Sequence, residues 1–432
     1  MANLIPEEKI SETRNAADIV EVISEVVSLK RSGNNYLGLC PFHSEKTPSF
    51  SVSPDKQIFH CFGCGAGGNV FTFLMKQEGF SFPEAVRTLA QRYGVNIPRQ
   101  EMTTRQKDRI EERRQLLAIN RLAADYFHRA LHHGSGSERA RHYLEKRGIS
   151  REMLDRFGVG YAPDGWDNLL RHLKSKRVPE GLIEKCGLAI ARKKGSGCYD
   201  RFRDRIVFPI CDLRGDIIGF GGRVLADALP KYLNSPETPL YSKSRTLYGL
   251  HLARNQCRDD AAVFVVEGYF DLIALVQHGV RNAVATLGTA LTAEHARVLR
   301  GLIGEGGRVI LVFDSDDAGI RAAKRGVEVF DKAQVNAQVL VLESGHDPDS
   351  FVFRYGSESF WQAAENAQAA VMFLLDTAIE RHGTSIEGVV RVIEAMTTPL
   401  AAISDSVERS LYVKRVAERL GIDETDVREK LR

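Results

Sequence analysis

Two runs of consecutive apolar residues along the chain each end in acidic residues. Residues 263–271 read VFVVEGYFD, and residues 309–319 read VILVFDSDDAG. Continuous β-branched runs of this kind are typical of strands that are buried on both faces of a parallel sheet. Glu267 follows one predicted strand, and Asp314 and Asp316 follow the other. Because ligands of open α/β sheets bind at the carboxyl ends of the strands, these three carboxylates are predicted to meet at one site.

Three carboxylates at one site repel one another unless a divalent cation lies between them. Hard oxygen ligands suit Mg²⁺ or Mn²⁺, so the pattern predicts metal-dependent phosphoryl transfer. Asp271 is predicted to share a helical face with Glu267 and to support the metal site. Asp347 and Asp349 are predicted to complete an outer site for a metal-bound triphosphate. The alternative is that such acids only cap helices or form turns, but it does not explain why both runs share the order strand, acid, glycine.

The remaining pattern predicts a hairpin and several helices. RIVFPICDL and DIIGFGGRVL are β-rich runs joined at Arg214 and Gly215, which indicates a hairpin. Apolar residues recur every three or four positions in LLAINRLAADYFHRALHH, and a helical pattern returns after about residue 364. Residues 99–114 are dense in charge without apolar periodicity, which predicts a linker or a solvated helix.

Composition narrows the class of protein. A chain of 432 residues is too long for one ordinary core, so two to four domains are expected. No apolar run is long enough to cross a membrane, and the polar N-terminus does not read as a signal peptide, so the cytoplasm is predicted. Lysine and arginine clusters between residues 139 and 205, such as RHYLEKR and RHLKSKR, predict a surface that binds a polyanion. A solvated face without a partner is the alternative for any single cluster.

Two pairs of metal-ligand residues lie near the N-terminus. Cys40-Pro-Phe-His43 and Cys61-Phe-Gly-Cys64 each hold two ligand residues with two residues between them. Three thiolates and one imidazole form a closed structural zinc site, and the odd total of seven cysteines argues against a disulfide framework. His60 is the alternative fourth ligand, but the matching spacing favours His43. The segment between the pairs is predicted to form a small antiparallel ribbon.

Aromatic and basic residues surround this predicted zinc site. They can stack unpaired bases and contact phosphate, or they can form the core of a small domain, and the sequence leaves both interpretations open. The residues are Tyr36, Phe50, Lys56, Phe59 and Phe62.

These motifs together resemble a known family. LGLCPFHSEKTPSFSVSP and FHCFGCGAGGNVFTFLM resemble the zinc-binding domain of bacterial DNA primases of the DnaG type. EGYFD and DSDDAG resemble the Toprim domain, which those primases share with type IA and type II topoisomerases. The resemblance continues in family order through RFRDRIVFPICDLRGDIIGFGGR and KYLNSPETPLYSKSRTLYGL and covers most of residues 1–370.

The resemblance implies a multidomain fold of the α+β and α/β classes. The expected parts are a zinc-ribbon β domain (1–100), a charged linker (101–115), a basic α+β subdomain of an RNA polymerase core (116–258), a Toprim-like α/β domain with a parallel sheet (259–345), and an acidic loop with a C-terminal helical subdomain (346–432). The zinc module is expected to move on its linker and to read the start site on single-stranded DNA.

The resemblance also implies the reaction, which is template-directed synthesis of short RNA primers for replication. Structural Zn²⁺ and catalytic Mg²⁺ or Mn²⁺ are the expected cofactors, and single-stranded DNA and ribonucleoside triphosphates are the expected partners. Residues carried over as contacts to nucleotide or template are Arg201, Arg223, Lys231, Tyr232, Asn234 and Lys243.

A replicative helicase is a further implied partner, but the chain stops at Arg432, so its C-terminal helicase-binding domain is expected to be absent. Two alternatives from other classes stay open. A Toprim-type topoisomerase needs a nucleophilic tyrosine, but Tyr269 within EGYFD is expected to pack beside the sheet, and no second domain is built around a catalytic tyrosine. A zinc and Toprim adaptor binds nucleic acid without catalysis. No G-x₄-G-K-[ST] phosphate loop occurs in the sequence, which excludes a fused helicase of that type.

Overall fold

A computed structural model gives the fold. It describes residues 5–431 except 44, 79, 98–103, 135, 193–194, 226–227, 289–290, 305, 314–325, 327–328, 332, 334 and 343–345, together with the side chains of 106 and 313. The chain folds as two compact units, Met1–Lys107 and Asp108–Arg432. Within the described residues, no helix combines the length and the apolar character that crossing a bilayer requires.

The first unit is built on a five-stranded antiparallel sheet in the order β1-β2-β3-β4-β5. Alternation of apolar and polar residues places Phe50, Val52 and Phe59 in its core, which confirms the predicted ribbon between the two ligand pairs. The elements are α1 Glu7–Ala16, α2 Ile19–Ser24, β1 Lys30–Ser32, β2 Asn35–Gly38, β3 Phe50–Ser53, β4 Ile58–Cys61, β5 Gly67–Gly68, α3 Val70–Gln77 and α4 Phe82–Arg92.

Most of a long helix, which starts at Thr104, lies in the second unit, and a small mixed α+β region follows it. The predicted hairpin forms between β9 and β10, which pair antiparallel in a sheet of order β11-β10-β9-β6. The elements are α5 Thr104–His133, α6 Glu138–Lys146, α7 Arg151–Arg156, β6 Gly160–Ala162, α8 Asn168–Ser175, α9 Glu180–Lys185, β7 Ala189–Ala191, β8 Cys198–Asp200, β9 Arg205–Cys211, β10 Ile217–Val224 and β11 Tyr232–Asn234.

A five-stranded sheet of order β13-β12-β14-β15-β16 follows, and its first four strands are parallel. Both apolar runs form strands of this parallel sheet, as predicted, and the structure pairs them as neighbours. Alternate residues of β12 enter different cores, because Phe264 and Val266 pack on one face and Val263 and Val265 on the other. The elements are α10 Leu250–Asp259, β12 Ala262–Val266, α11 Tyr269–Gln277, β13 Ala283–Ala285, α12 Ala293–Ile303, β14 Arg308–Phe313, β15 Asn336–Val341, α13 Pro348–Glu365 and β16 Gln368–Ala369.

Four helices complete the second unit. Their apolar faces join the core on the Val263 side of the sheet, with Leu375, Val392 and Val416 among the buried residues. The helices are α14 Ala370–His382, α15 Ile386–Ala402, α16 Ser406–Leu420 and α17 Glu424–Lys430. Most of the predicted charged linker lies in α5, so from Thr104 onward the solvated-helix interpretation is the correct one.

Candidate active site and zinc site

The carboxyl end of β12 places the first predicted metal ligand at the edge of the parallel sheet. Glu267 directly follows β12 and is exposed. Gly268 then caps α11, and its amide donates a hydrogen bond of 2.9 Å to the Asp271 carboxylate. Asp314 and Asp316, predicted to follow β14, lie outside the described residues.

Three acidic side chains meet near the start of α11. Oxygen atoms of Asp271, Asp347 and Asp349 all lie within 4.8 Å of one another. Asp347 is the N-cap of α13 and accepts a hydrogen bond of 3.2 Å from the Ser350 amide. The structure therefore joins the predicted supporting residue to the predicted outer pair.

The electrostatics of this acidic cluster favour a cation. Burial and then the neighbouring Asp347 raise the pKa of Asp349 to about 6. Burial also acts to raise the pKa of Asp347, but hydrogen bonds from Asp349 and Ser350 outweigh burial and lower it. A cation at this site relieves the repulsion between the two neighbouring carboxylates. An all-carboxylate donor set fits a hard divalent ion such as Mg²⁺ or Mn²⁺.

An arginine that sequence analysis did not single out contacts the acidic cluster. Arg147 Nη1 donates a hydrogen bond of 2.7 Å to Asp349 Oδ2, and its guanidinium lies 4.9 Å from the Phe270 ring centroid. The signal was the RHYLEKR cluster, which predicts a polyanion-binding surface without identifying the residue that faces the acids. Arg147 thus provides a positive charge directly beside the carboxylates.

Two of the predicted nucleotide or template residues lie on the same surface. Arg223 and Tyr232 are direct partners on β10 and β11, and the Arg223 guanidinium lies 4.8 Å from the Tyr232 ring centroid. Both arginines also lie near the ring of Tyr143. The Arg223 guanidinium is 5.9 Å and the Arg147 guanidinium 5.6 Å from its centroid. Arg223 Nε is buried without a hydrogen-bond partner among the described residues. Lys231, which precedes Tyr232 in the chain, is exposed. This arginine and tyrosine surface adjoins the acidic cluster.

The other predicted contacts take part in internal hydrogen bonds. The Arg201 guanidinium donates to the Asn234 carbonyl at 3.0 Å, and the Asn234 side chain donates to the Leu287 carbonyl at 2.7 Å. Lys243 is half-buried, and its carbonyl oxygen lies 3.1 Å from His295 Nε2. These bonds give the Arg201 and Asn234 side chains structural roles, whereas Lys243 takes part only through its backbone. Contacts to nucleotide or template stay predictions for all three residues.

Tyr269 is part of the core. Its side chain is 4% exposed, it stacks on Phe208 at 4.5 Å, and its hydroxyl donates to Asn234 Oδ1 at 2.8 Å. Burial raises its pKa well above the ordinary value. A Cβ at Gly221 would lie 2.0 Å from the Tyr269 hydroxyl, so packing against this ring explains the glycine. A buried tyrosine with a raised pKa does not suit attack on DNA.

In the first unit, the two predicted pairs of zinc ligands converge. Ligand atoms of Cys40, His43, Cys61 and Cys64 all lie within 4.8 Å of one another. Cys40 Sγ and Cys64 Sγ are 3.8 Å apart, and Cys61 Sγ and His43 Nδ1 are also 3.8 Å apart. Sulfur atoms at 2.3 Å from a tetrahedral zinc are about 3.8 Å apart, so the donor set fits Zn²⁺. His60 is exposed on β4 and is not one of these four residues.

The thiols of this zinc site differ in their electrostatic environment. Burial raises the pKa of Cys40 to about 12. Burial also opposes ionisation of Cys61, but hydrogen bonds from Ser49 and from the amides of Gly63 and Cys64 lower its pKa to about 6. These donors stabilise a thiolate at Cys61, which is the form that binds zinc.

Glu45 orients the histidine of the zinc site, a role that no pattern in the sequence predicts. Its carboxylate lies 3.3 Å from His43 Nε2, on the side of the ring opposite the thiols. The same carboxylate accepts hydrogen bonds from the amides of Cys40 at 2.7 Å and Ser49 at 3.2 Å. A carboxylate that holds one ring nitrogen of a histidine presents the other nitrogen to a metal.

We expect Glu45→Gln to lower the zinc affinity of the chain by roughly 10- to 100-fold, because outer partners of metal ligands contribute that much. Competition with a chromogenic chelator measures the affinity. Glu78→Gln is the matched control, since Glu78 is exposed in the same unit. Equal zinc affinity in wild type and Glu45→Gln would contradict this role.

The aromatic residues of the zinc module divide between the two interpretations. Phe50 and Phe59 are buried and stack at 5.2 Å, so they form core. Phe62 is 76% exposed beside His60, and Lys56 is exposed. Tyr36 is half-buried against the core. Only part of the set therefore faces solvent.

An exposed aromatic platform lies in the second unit. Trp166 is 61% exposed, and its ring centroid is 5.5 Å from that of Tyr199. The Arg203 guanidinium lies 4.5 Å from the Trp166 centroid and 5.1 Å from that of Tyr199. The Asp200 amide donates 2.7 Å to the Trp166 carbonyl and fixes the backbone. No local pattern predicts this platform, although Arg203 lies within the basic region between residues 139 and 205.

Four family models match the chain in order. They are described as CHC2 zinc finger (residues 5–105), DNA primase catalytic core, N-terminal domain (126–254), Toprim-like (264–352), and DnaB-helicase binding domain of primase (371–425). The zinc finger and Toprim matches imply that the chain binds zinc and a divalent metal.

The expectation that the helicase-binding domain is absent is wrong. It rests on the chain ending at Arg432, whereas the matching residues 371–425 lie before that point. They fold as α14, α15 and α16 and the start of α17, against the core of the parallel sheet. A helical pattern after residue 364 is visible in the sequence, but its periodicity does not identify a binding partner.

Bacterial DNA primases are similar to this chain over most of its length. The DNA primase of Halalkalibacterium halodurans is 41% identical over 428 residues, which cover 98% of this chain and 70% of the relative. The crystal structure of the zinc binding and RNA polymerase domains of Aquifex aeolicus primase covers 97% of this chain and 98% of its own, with 33% identity and a TM-score of 0.62. A structure of the DnaG primase catalytic domain bound to ssDNA covers 73% of this chain and 99% of its own, with 34% identity and a TM-score of 0.62.

The topoisomerase alternative is not favoured, because the relatives are primases and Tyr269 is buried. A non-catalytic adaptor is not favoured either, because the relatives are primases. The zinc finger, the catalytic core and the Toprim-like sheet occur together in family order. The chain therefore belongs to the DnaG-type family of bacterial DNA primases, the DNA-directed RNA polymerases that synthesise RNA primers for replication.

Proposed function

We propose that the second unit joins ribonucleotides on single-stranded DNA at the edge of the parallel sheet. The acidic cluster of Asp271, Asp347 and Asp349 beside Arg147 is the observation that carries this proposal. Glu267, exposed at the end of β12, and the acids Asp314 and Asp316 complete the proposed metal-binding set.

Mg²⁺ or Mn²⁺ is the proposed catalytic ion, and when bound it neutralises charge at the reacting phosphate and orients the triphosphate. Asp347 and Asp349 supply hard oxygen ligands, while Asp271 supports the site through its cap on α11. Arg147 and Arg223 bind phosphate oxygens and hold the incoming nucleotide in register. Holding two nucleotides on the template removes much of the entropic part of the barrier to their condensation.

Removal of divalent ions tests this proposal. Unprimed ribonucleotide incorporation on single-stranded DNA is measured after dialysis against a chelator that spares the tightly bound zinc, and again after Mg²⁺ or Mn²⁺ is restored. We expect no product without the ion and recovery with it. Synthesis at an equal rate without the ion would contradict a divalent-metal mechanism.

The proposed division of labour follows the domain boundaries predicted from sequence. Residues 1–100 bind the start site, with Lys56, His60 and Phe62 exposed on the zinc module for phosphate and base contacts. Residues 116–258 hold template and nucleotide, residues 259–345 carry the sheet-edge acids, and residues 346–432 add the acidic loop and the helical subdomain. Replication places this activity in the cytoplasm, at the replication fork.

Trp166 and Arg203 are the proposed stacking site for the template strand. An exposed tryptophan flanked by an arginine suits unpaired bases, which present a π face and a neighbouring phosphate. One of the similar structures is a DnaG primase catalytic domain bound to ssDNA, so this domain type binds a single strand.

We expect Trp166→Ala to weaken binding of single-stranded DNA by roughly 5- to 150-fold, since loss of one stacked base costs about 1–3 kcal/mol. Fluorescence anisotropy of a labelled oligonucleotide measures the affinity. Trp166→Phe, which keeps a ring, should retain most of it. Unchanged affinity in Trp166→Ala would contradict the stacking role.

We propose that α15 and α16 contact a DnaB-type helicase, since a helicase-binding model matches this region. Both helices expose apolar side chains one turn apart, Ile386 with Val390 and Val407 with Leu411. Apolar residues at this spacing form a stripe that suits a partner groove.

We expect Leu411→Glu to weaken helicase binding about tenfold or more, because a charge would enter an interface that buries a leucine. Biolayer interferometry with the replicative helicase of the same organism measures the affinity. Leu229→Glu is the matched control, because Leu229 is an exposed leucine outside residues 371–425. An equal loss in both variants, or no loss in either, would contradict the assignment.

A further inference from the structure

A second group of metal-ligand side chains lies in the second unit, separate from the acidic cluster. His128 and His132 stand one turn apart on α5, and Asp155 lies on α7. Their ligand atoms all lie within 4.8 Å of one another. All three residues lie in the region that matches the catalytic-core model, but none is among the predicted nucleotide, template or metal residues.

Both imidazoles point the same ring nitrogen at one oxygen atom. His128 Nε2 lies 3.4 Å and His132 Nε2 lies 3.3 Å from Asp155 Oδ1. His132 Nε2 is buried and makes no hydrogen bond within the described part of the chain. Arg151 lies 3.9 Å from the other oxygen, Oδ2, so Oδ1 is left to the two histidines. The three side chains thus converge on a single point.

The tautomer of His128 is set by a backbone contact. His128 Nδ1 lies 3.0 Å from the Val159 carbonyl oxygen, which only accepts hydrogen bonds, so Nδ1 carries the proton. In a neutral ring the lone pair is then on Nε2, the nitrogen that faces His132 and Asp155. A carbonyl that fixes Nδ1–H is the usual partner of a histidine that binds metal through Nε2.

We propose that His128, His132 and Asp155 bind a divalent transition-metal ion of the Zn²⁺ type. Two imidazoles and one carboxylate suit Zn²⁺, Ni²⁺ or Cu²⁺ better than Mg²⁺. Three protein ligands leave one tetrahedral position for water. Such an ion would connect α5 to α7. It would thereby anchor α7, which follows Arg147 in the chain.

Zinc stoichiometry tests the proposal on the full chain. Protein with its zinc finger loaded is equilibrated with buffered micromolar Zn²⁺ in excess Mg²⁺, which occupies the sheet-edge carboxylates, and bound zinc is counted by mass spectrometry. We expect wild type and His133→Gln to hold about one zinc more per chain than His132→Gln. His133 is the matched control because it is exposed on the same turn and is not among the three ligands. Equal zinc content in all three proteins would overturn the proposal and leave an ion pair only.

A second measurement does not depend on the stability of a variant. Co²⁺ added to the zinc-loaded wild-type chain should give visible d–d absorption without a thiolate charge-transfer band, because the ligands are nitrogen and oxygen. Absence of that absorption would overturn the proposal. Hydrogen exchange of residues 151–159 should also slow when zinc is added, since the ion holds α7 to α5.

Discussion

Asp349→Asn should reduce unprimed RNA synthesis by about 100-fold or more while single-stranded DNA still binds. Loss of a carboxylate ligand removes part of the several kcal/mol that a metal contributes to charge stabilisation, and each 1.36 kcal/mol corresponds to about tenfold in rate. Template affinity should stay within about twofold, since this acid makes no favourable contact with phosphate. Steady-state incorporation and anisotropy give the two quantities.

Asp376→Asn is the matched control for this experiment. Asp376 pairs with Arg419 at 2.8 Å, as Asp349 pairs with Arg147 at 2.7 Å, but it lies on α14 outside the acidic cluster. Its substitution removes a comparable ion pair without removing a proposed ligand. If both variants kept wild-type synthesis, the acidic cluster would have no part in catalysis.

Cys61→Ser should release the structural zinc and unfold the ribbon of the first unit. Zinc in small structural sites contributes about 10–16 kcal/mol, which is comparable to the whole stability of a domain. Hydrogen exchange should therefore lose protection in β3 and β4, while β12 in the other unit keeps its protection. Zinc per chain should fall by about one.

Cys198→Ser serves as the control for the loss of a thiol. Cys198 is half-buried on β8 in the second unit, and it is not among the four converging residues. Its substitution should change neither the zinc content nor exchange in β3 and β4. Full protection of the ribbon in zinc-free Cys61→Ser would contradict a structural role for the metal.

The sequence was most informative where the signal is local. The apolar runs identified β12 and β14, because burial on both faces demands continuous apolar residues. The two-residue spacing within each ligand pair identified the zinc site of Cys40, His43, Cys61 and Cys64, because a tight turn aims both ligands at one ion. The first half of α5 was ambiguous, since most of its described side chains are exposed and it has no apolar stripe.

Contacts between distant residues were not predictable in the same way. Arg147 and Asp349 are 202 positions apart, and no pattern within either segment shows that they meet. Asn234 is predicted from the resemblance to contact nucleotide or template, and no local pattern shows that its side chain also hydrogen-bonds Tyr269 and Leu287. Glu45 and Trp166 were missed for a related reason, because a single charged or aromatic residue gains meaning only from what the fold places beside it.

The most direct test of the central claim is the structure of the first product made on single-stranded DNA from ribonucleoside triphosphates alone, with no primer. Because the first nucleotide supplies the attacking 3′-hydroxyl and keeps its own phosphates, mass spectrometry should show template-complementary oligoribonucleotides with a 5′-triphosphate. These products should be absent with Asp349→Asn. Products that require an added primer, or a covalent complex of protein and DNA in their place, would contradict the account.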